Sequence, residues 1–391
     1  FSRELALSYF YGASTITDAY LVSLTIPSVV FSFIGAGIGT GFIPQLSRIK
    51  HQQGASAANC FTNNITNVIL VLCTIVVVAG TIFTEHLVRI FASGFNSEAL
   101  ELAVRFTRIS IFAIYFTSLN GVFSGYLRIH GSYIVPNLIG FPMNVIIILS
   151  MVISARMDSV YVLLVGTVLG RAAEFIFMLP FARKKGYEFR PILDLKDDNL
   201  RALFYLALPV IIGSSIDQIN ILIDRTLASR IAIGGISALS YANRLKGFIN
   251  GLFVMSVSNI MYPMISTMAS EKNMRGLKET LHEAIGMISL VVVPATIGAI
   301  LFAEPIVAFL FGRGAFTREA VALTGSALRY YSIGMLGFGL REVLSRAFFA
   351  LQDTRTPMIN GMIAVGINIV LNVILSRYLG IGGLALATSI A

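Results

Sequence analysis

The chain has 391 residues, of which 56% are hydrophobic and only 13% are charged, and its mean hydropathy is +0.80. Soluble domains carry about 25% charged residues, so this composition excludes a soluble globular protein and indicates a polytopic membrane protein. The formal net charge of +9 is then explained by basic cytoplasmic loops and an anionic ligand rather than by nucleic acid.

Hydropathy predicts an all-α chain of about twelve apolar helices, because no alternating strand pattern competes with them. The predicted helices cover residues 1–11, 16–46, 60–83, 99–127, 133–155, 159–180, 200–229, 236–268, 282–303, 319–350, 356–376 and 380–391. The sequence begins at Phe1 and ends at Ala391 inside apolar helical patterns, so we expect a chain truncated at both ends.

The second predicted helix has an unusual composition. Between Asp18 and Arg48 it carries no charge over 29 residues, more than the about 20 that a straight helix needs to cross a bilayer. Pro27 removes a hydrogen bond from its middle. Glycines at positions 35, 37, 39 and 41 then allow other backbones to come close. We expect a bent helix that lines a cavity.

Basic residues in the loops predict the orientation of the chain. Thirteen Lys and Arg residues lie in loops that follow even-numbered helices, and six lie in the other loops. By the positive-inside rule, the even loops and the N-terminus are cytoplasmic. The polar segment 181–199 is therefore a cytoplasmic linker between an N-lobe (residues 1–180) and a C-lobe (residues 200–391), each with six helices.

The two halves resemble a repeat. Residues 42–47 (FIPQLS) resemble residues 261–266 (MYPMIS), residues 90–95 resemble residues 310–315, and Pro136 matches Pro357, at offsets of 219 to 221. Halves with an even number of helices are parallel, related by a pseudo-two-fold axis along the membrane normal. This pattern predicts a two-lobed transporter with a central cleft.

Two arginines are predicted at matching depths in the membrane. Arg3 lies nine residues before the outer end of its helix at Gly12, and Arg244 lies nine residues after the outer end of its helix at Gly235. At 1.5 Å per residue, both are about 13 Å deep. They are candidates for an anion clamp, because the planar guanidinium forms two hydrogen bonds to phosphate. Alternatively, a carboxylate such as Glu4 or Asp18 neutralises each of them, and both states are compatible with different conformations.

Oxygen-bearing side chains on three predicted helices are candidate ligands for a small cation such as sodium. They are Asp217 and Asp224 on the seventh helix, Asn368 and Asn372 on the eleventh, and Thr388 on the twelfth. Asn368 and Asn372 are spaced i, i+4 and share a helix face. The alternative is a polar contact between helices, in which Asp224 pairs with Arg225 or Arg230.

The sequence contains no catalytic constellation. It has no glycine-rich phosphate loop, no HExxH and no GxSxG, and its four histidines and two cysteines lack ligand spacing. We therefore predict that the chain is not an enzyme and needs no cofactor apart from the candidate sodium ion.

Six motifs resemble the MurJ (MviN) family of the MOP exporter superfamily. They are TDAY at 17–20, IP at 26–27, GFIP at 41–44, SYANRL at 240–245, LFGRGAFT at 310–317 and ALQDTRTP at 350–357. The resemblance implies a fourteen-helix fold whose last two helices, which form a groove for a lipid tail, are absent here. It also implies transport of lipid II, the undecaprenyl-pyrophosphate-linked peptidoglycan precursor, to the outer leaflet by alternating access.

The resemblance implies roles for individual residues. Substrate-binding residues are Arg3, Glu4, Asp18, Asn144 and Arg244, and sodium ligands are Asp224, Asn368, Asn372 and Thr388. Three positions depart from the family pattern. Phe31 stands where a cavity arginine is common, the acidic residue next to the helix-one arginine is present only as the longer Glu4, and Asn372 stands where an aspartate can occur.

Other functions remain open at this point. One is a MOP-type exporter of polysaccharide-linked lipids, drugs or ions, although a drug exporter should favour acidic cavity residues. Another is a membrane enzyme acting on polyprenyl phosphates, which would need acidic metal ligands or a nucleophile. We expect a monomer in the bacterial cytoplasmic membrane that binds a lipid-linked precursor and no nucleic acid.

Overall fold

The computed structural model describes residues 1–391, except the side chains of residues 206, 209, 212–214, 216 and 217. Asp217, one of the predicted oxygen-bearing residues, therefore lies outside the described residues. The described chain is helical and contains no strand, which confirms the predicted all-α class.

Eighteen helices and two π-helical turns follow one another along the described chain. The helices are α1 (Ser2–Tyr11), α2 (Thr15–Gly37), α3 (Ile43–Ile82), α4 (Thr84–Phe91), α5 (Ser97–Ser110), α6 (Ala113–Ile129), α7 (Ile134–Leu138), α8 (Gly140–Met157), α9 (Val160–Lys184), α10 (Asp198–Ile231), α11 (Gly235–Ile249), α12 (Met255–Ser270), α13 (Met274–Leu301), α14 (Ala303–Phe311), α15 (Arg318–Ile333), α16 (Met335–Ala350), α17 (Arg355–Leu379) and α18 (Ile381–Ile390). The π-helical turns are Ile38–Phe42 and Asn250–Val254.

Six helical segments among the described residues are long and apolar enough to cross a membrane. They are Thr15–Ile82, Ile134–Met157, Val160–Lys184, Gly235–Ser270, Met274–Leu301 and Arg355–Leu379. α5 and α6, which meet at an angle of 42°, form a seventh when counted as one span. The segment Thr15–Ile82 covers nearly all of the second and third predicted helices. Among the described residues, six or seven segments thus meet this criterion, whereas the sequence predicted about twelve spans.

The internal contacts of the chain divide it into two units. Unit 1 comprises Phe1–Asp18 together with Ile223–Ala391, and unit 2 comprises Ala19–Leu222. This grouping differs from the predicted lobes because α1 packs on α14 within unit 1. The division into lobes at residues 1–180, 181–199 and 200–391 stays a prediction.

Glycines at positive φ join α1 to the loop after α14 in unit 1. Ala315 N donates to Tyr9 O at 2.8 Å. A Cβ on Gly314 (φ +64°) would lie 2.2 Å from Tyr9 O, and one on Gly12 (φ +64°) would lie 2.3 Å from Ala315 O. Only glycine tolerates both the backbone angle and this close approach.

In unit 2, Pro27 lies inside α2 without ending it. A proline cannot donate the hydrogen bond that Ser23 O would accept in a regular helix. The hydroxyl of Ser110 on α5 donates to Ser23 O at 2.6 Å instead, and both serines are buried. The carbonyl oxygen is therefore satisfied, and the irregular backbone lies further on, at Ile38–Phe42.

A row of asparagines on α3 holds the linker within unit 2. Asn64 pairs with the backbone of Asp194 in both directions, at 2.9 and 2.8 Å. Asn63 Nδ2 donates to Glu188 O at 2.8 Å, and its Oδ1 accepts from Arg190 N at 3.1 Å. These side chains satisfy backbone groups of an extended segment that has no helix of its own.

The order of elements recurs in the two halves of the sequence. Short helices α4 and α14 are each followed by a helix with a capped N-terminus. Asn96 Oδ1 accepts from Ala99 N at 2.8 Å, and Thr317 Oγ1 accepts from Ala320 N at 3.1 Å. Such caps satisfy free amides of the first turn, and their offset of 221 matches that of the predicted repeat.

Candidate functional site

A single carboxylate joins the two predicted cavity arginines in unit 1. Arg3 Nη2 lies 2.9 Å and Arg244 Nη2 lies 3.3 Å from the same oxygen, Glu4 Oε1. The Glu4 side chain is only 12% exposed, whereas those of Arg3 and Arg244 are 25% and 58% exposed. We call these three residues the arginine site.

The arginine site carries a net positive charge and is partly open. Glu4 neutralises one guanidinium, as the sequence alternative anticipated, but two arginines share it. Exposed ion pairs contribute only about 0–1 kcal/mol, so the pair with Arg244 is weak. An anion with several oxygens can bind both guanidinium groups with stronger, charge-assisted bonds.

Asp18 holds the N-terminus of α11. Its Oδ2 accepts from Gly234 N at 2.9 Å, and its Oδ1 accepts from both the amide and the hydroxyl of Ser237 at 2.7 Å. A carboxylate at this position satisfies free amides of the first turn and is attracted by the helix dipole. Asp18 therefore positions α11, the helix of Arg244, and its predicted contact with substrate stays a prediction.

Gly234 makes this close arrangement sterically feasible. Its φ is +77°, and a Cβ there would lie 2.5 Å from Ala13 O in the loop between α1 and α2. The sequence GGIS at 234–237 is the local signal for this arrangement. Gly234 at the N-cap has no side chain to accept from the amides of the first turn, so another residue must supply the acceptor.

The four predicted sodium ligands form one hydrogen-bonded group in unit 1, which we call the oxygen cluster. Asn372 Nδ2 donates to Asp224 Oδ1 at 2.7 Å and to Asn368 Oδ1 at 2.8 Å, and Asn368 Nδ2 lies 3.3 Å from Thr388 Oγ1. Asn368 and Asn372 are buried. The predicted i, i+4 spacing places Asn368 and Asn372 side by side on α17, and their hydrogen bonds connect this helix to α10 and α18.

A buried acceptor in the oxygen cluster has no partner. Asn372 Oδ1 is buried and makes no hydrogen bond, and such atoms are costly unless a ligand or water satisfies them. The described residues contain no group of three His, Cys, Asp or Glu that would hold a metal. One carboxylate with neutral oxygens fits a monovalent cation better than a transition metal.

Arg225, the alternative partner of Asp224, makes other hydrogen bonds. Its Nη1 donates to Ser240 Oγ at 3.0 Å and to Ile236 O at 3.3 Å. Both acceptors belong to α11. Arg225 thus ties α10 to α11 while still attracting the carboxylates of Asp18 and Asp224.

Asn144 and Phe31 belong to unit 2, whereas the residues of the arginine site and the oxygen cluster belong to unit 1. Asn144 Nδ2 donates to Gly140 O at 2.6 Å within α8. Phe31, where the family resemblance expects an arginine, is partly buried against the apolar core of unit 2. The substrate role of Asn144 stays a prediction.

Two further polar features lie inside the helices, and the burial of Lys246 had no signal in the sequence. Lys246 on α11 is buried, with its ammonium over the rings of Tyr331 and Phe338. In unit 2, the buried Glu174 accepts from Asn120 Nδ2 at 2.7 Å and from Arg171 Nη1 at 3.2 Å. Only the Arg171–Glu174 spacing, i, i+3, was visible in the sequence.

The apolar helices, the repeated order of elements and the buried charges define a polytopic membrane transporter of the MOP fold. A solved structure of the lipid II flippase MurJ in an inward closed conformation matches with a TM-score of 0.86 and 23% identity, covering 100% of this chain and 81% of that chain. An inward-facing multidrug resistance MATE family transporter of the MOP superfamily matches with a TM-score of 0.80 and 18% identity, covering 100% and 94%.

Sequence relatives identify the family within this class. The family model described as "Lipid II flippase MurJ" matches residues 7–391. The probable lipid II flippase MurJ of Vibrio cholerae is 29% identical over 401 residues, covering 100% of this chain and 76% of the relative. The lipid II flippase MurJ of Burkholderia cenocepacia is 28% identical over 401 residues, covering 100% and 77%. The chain belongs to the lipid II flippase MurJ family, as the motifs predicted.

Membership of the family confirms several predictions. The family is one of transporters rather than catalysts. The apolar helices make the chain a multi-pass protein of the bacterial inner membrane. The cytoplasmic N-terminus, the monomeric state and the absence of nucleic acid partners stay predictions.

Proposed function

We propose that this chain moves lipid II from the cytoplasmic to the outer leaflet by alternating access. The observation that carries the proposal is the arginine site, where Arg3 and Arg244, 241 positions apart in the sequence, share Glu4. The pyrophosphate of the precursor has the charge and the oxygen geometry that paired guanidinium groups recognise. The lipid tail stays in the bilayer.

The release of Arg244 from Glu4 is the step that would admit the substrate. The side chain of Arg244 is 58% exposed, so its pair with Glu4 is readily exchanged. Arg3 keeps the shorter contact at 2.9 Å and a lower exposure. In this proposal Arg3 is the fixed half of the clamp, and Arg244 closes on the pyrophosphate.

Irregular points in the helices allow the bending that alternating access requires. The π-helical turns at Ile38–Phe42 and Asn250–Val254 follow α2 and α11, and π-helical turns and prolines are common causes of helix bending. Pro27 adds a second weak point in α2.

The N-terminus lies in the cytoplasm, and the protein acts as a monomer without nucleic acid.

The oxygen cluster is proposed as a sodium site that contributes to the driving force. Asp224, Asn368, Asn372 and Thr388 would hold the ion, and the unsatisfied Asn372 Oδ1 supports this assignment. A bound ion would be held by the carboxylate of Asp224 together with the neutral side-chain oxygens. The cluster joins α10, α17 and α18, so it stabilises their packing.

Complementation tests the arginine site. In cells depleted of their own flippase, the Arg3→Ala and Arg244→Ala variants should fail to restore growth, because either change removes half of the clamp. Arg275→Ala is the matched control, since Arg275 is an exposed arginine in an i, i+4 pair with Glu279. Full growth with either clamp variant at normal expression would contradict the proposal.

A second candidate is a MOP-type exporter of other compounds, suggested by the similarity to the MATE transporter fold. The arginine site favours an anionic substrate over a cationic drug. A polysaccharide-linked pyrophosphate shares that chemistry, and direct measurement of lipid II transport separates the two.

A further inference from the structure

Lys246 is a buried cation to which the proposed transport mechanism gives no role. It lies on α11, two residues after Arg244, and is 9% exposed. Its Nζ lies 4.2 Å from the ring centroid of Phe338 and 4.6 Å from that of Tyr331. Among the described residues it forms no ion pair, so the two aromatic rings are its nearest stabilising contacts.

Aromatic contacts alone do not compensate the burial of an ammonium group. A cation–π contact recovers only part of the free energy that is lost when an ammonium group is transferred from water into the protein interior. The carboxylate of Asp224 also attracts the ammonium group of Lys246. The buried lysine therefore depends on the same carboxylate as the oxygen cluster.

Tyr331 connects Lys246 to the oxygen cluster. One face of its ring carries the ammonium of Lys246, and its hydroxyl is hydrogen-bonded to the side chain of Thr388. Thr388 in turn lies 3.3 Å from Asn368 Nδ2. Lys246 and the oxygen cluster thus form one continuous group on α10, α11, α15, α17 and α18.

The charges of this group balance without any added ion. Within the group, Asp224 faces Lys246. The neighbouring Arg225, which attracts both Asp18 and Asp224, adds one positive charge to match the carboxylate of Asp18. Arg225 is held in place by Ser240 and Ile236, whereas Lys246 makes no such fixed bond among the described residues. A monovalent cation at Asp224 would leave one positive charge in excess, and like charges repel strongly in a low-dielectric interior.

We propose that Lys246 is an internal cation that competes with sodium for Asp224 and lowers the affinity of the oxygen cluster for the ion. This inference rests on the proposed sodium site. Since Lys246 and Arg244 share α11, binding of the ion displaces a charge on the helix that carries half of the arginine site. Lys246 is a positioning residue that couples the two sites.

Sodium binding to the purified protein tests this role. Lys246→Met keeps the length of the side chain and removes its charge. We expect this variant to bind ²²Na⁺ more tightly, with a Kd at least about tenfold lower in a scintillation proximity assay. Lys246→Arg, which keeps the charge, should stay within about threefold of the wild type. Arg275→Met removes an exposed positive charge and should leave the Kd unchanged.

Two further variants separate the possible failures. Asp224→Asn should abolish binding in the wild type and in Lys246→Met, and Lys246→Gln replaces Lys246→Met if the latter does not fold. An unchanged or higher Kd in a folded Lys246→Met variant, with binding still lost in Asp224→Asn, would overturn the inference and leave the sodium site intact. Absence of saturable binding in the wild type and in both neutral variants would refute the sodium site and the inference together, without affecting the arginine site.

Discussion

Replacement of Asp18 by asparagine tests whether this residue positions α11. The carboxylate accepts three hydrogen bonds, at 2.9, 2.7 and 2.7 Å, from Gly234 and Ser237. In Asp18→Asn, one carboxylate oxygen becomes an NH₂ group and the charge at the helix N-terminus is lost. At least one amide of the first turn then loses its acceptor.

The magnitude follows from these contacts. Hydrogen bonds to a charged group contribute about 1.5–3 kcal/mol each, and the helix dipole adds up to about 2 kcal/mol in buried geometry. The burial of the carboxylate itself costs several kcal/mol, which offsets part of this gain. We expect Asp18→Asn to lower the free energy of unfolding by about 2–4 kcal/mol, within the usual range for a lost buried network.

SDS-driven unfolding of the purified protein measures this difference. Ser237→Ala is the matched control, because it removes the hydroxyl that donates to Asp18 and lies 3.0 Å from Gly234 O, but keeps the carboxylate and both of its amide bonds. It should cost about 1.5 kcal/mol, the lower end of the range for a bond to a charged group. If Asp18→Asn unfolds like the wild type, or no more readily than Ser237→Ala, the carboxylate does not hold α11 and the reasoning is wrong.

Three further predictions concern the loops. Gly314→Ala should destabilise the protein more than Gly131→Ala in the same unfolding assay, because both glycines have positive φ but only a Cβ at Gly314 meets a backbone oxygen; equal losses would argue against the close approach of α1. Asn64→Ala should increase hydrogen exchange at residues 187–197, since Asn64 binds the linker backbone; unchanged exchange would show that the linker is held otherwise. Burial and two nearby lysines lower the pKa of His130, so the unfolded chain takes up the proton first and thermal stability should fall as the pH drops below about 6.5. His130→Gln should remove that dependence, and a wild-type melting temperature that is constant from pH 7 to pH 5 would contradict it.

Local patterns in the sequence predicted much of the fold. Apolar runs such as residues 133–155 and 356–376 appear as the helical segments Ile134–Met157 and Arg355–Leu379. A long apolar segment in a bilayer must satisfy its backbone hydrogen bonds internally, and a helix does so. The i, i+4 spacing of Asn368 and Asn372 correctly placed them on one face. Such features depend only on residues that are close together in the sequence, so they can be predicted from the sequence.

Contacts between distant segments were harder to predict. Depth predicted matching levels for Arg3 and Arg244, and Glu4 was a candidate partner, but the sequence did not indicate that one oxygen of Glu4 would contact both arginines. Nor did the sequence indicate the three bonds that Asp18 accepts from the N-terminus of α11. These contacts depend on how helices pack, and helix packing has no local signature in a single sequence.

The central claim is that the arginine site serves lipid II transport. The most direct measurement is the exposure of lipid II at the outer leaflet, in cells depleted of their own flippase and rescued with this chain. The account predicts that the wild type and Arg275→Ala expose lipid II, whereas Arg3→Ala and Arg244→Ala, present at the same level in the membrane, do not. Normal exposure of lipid II with either clamp variant, or none with the wild type, would contradict it.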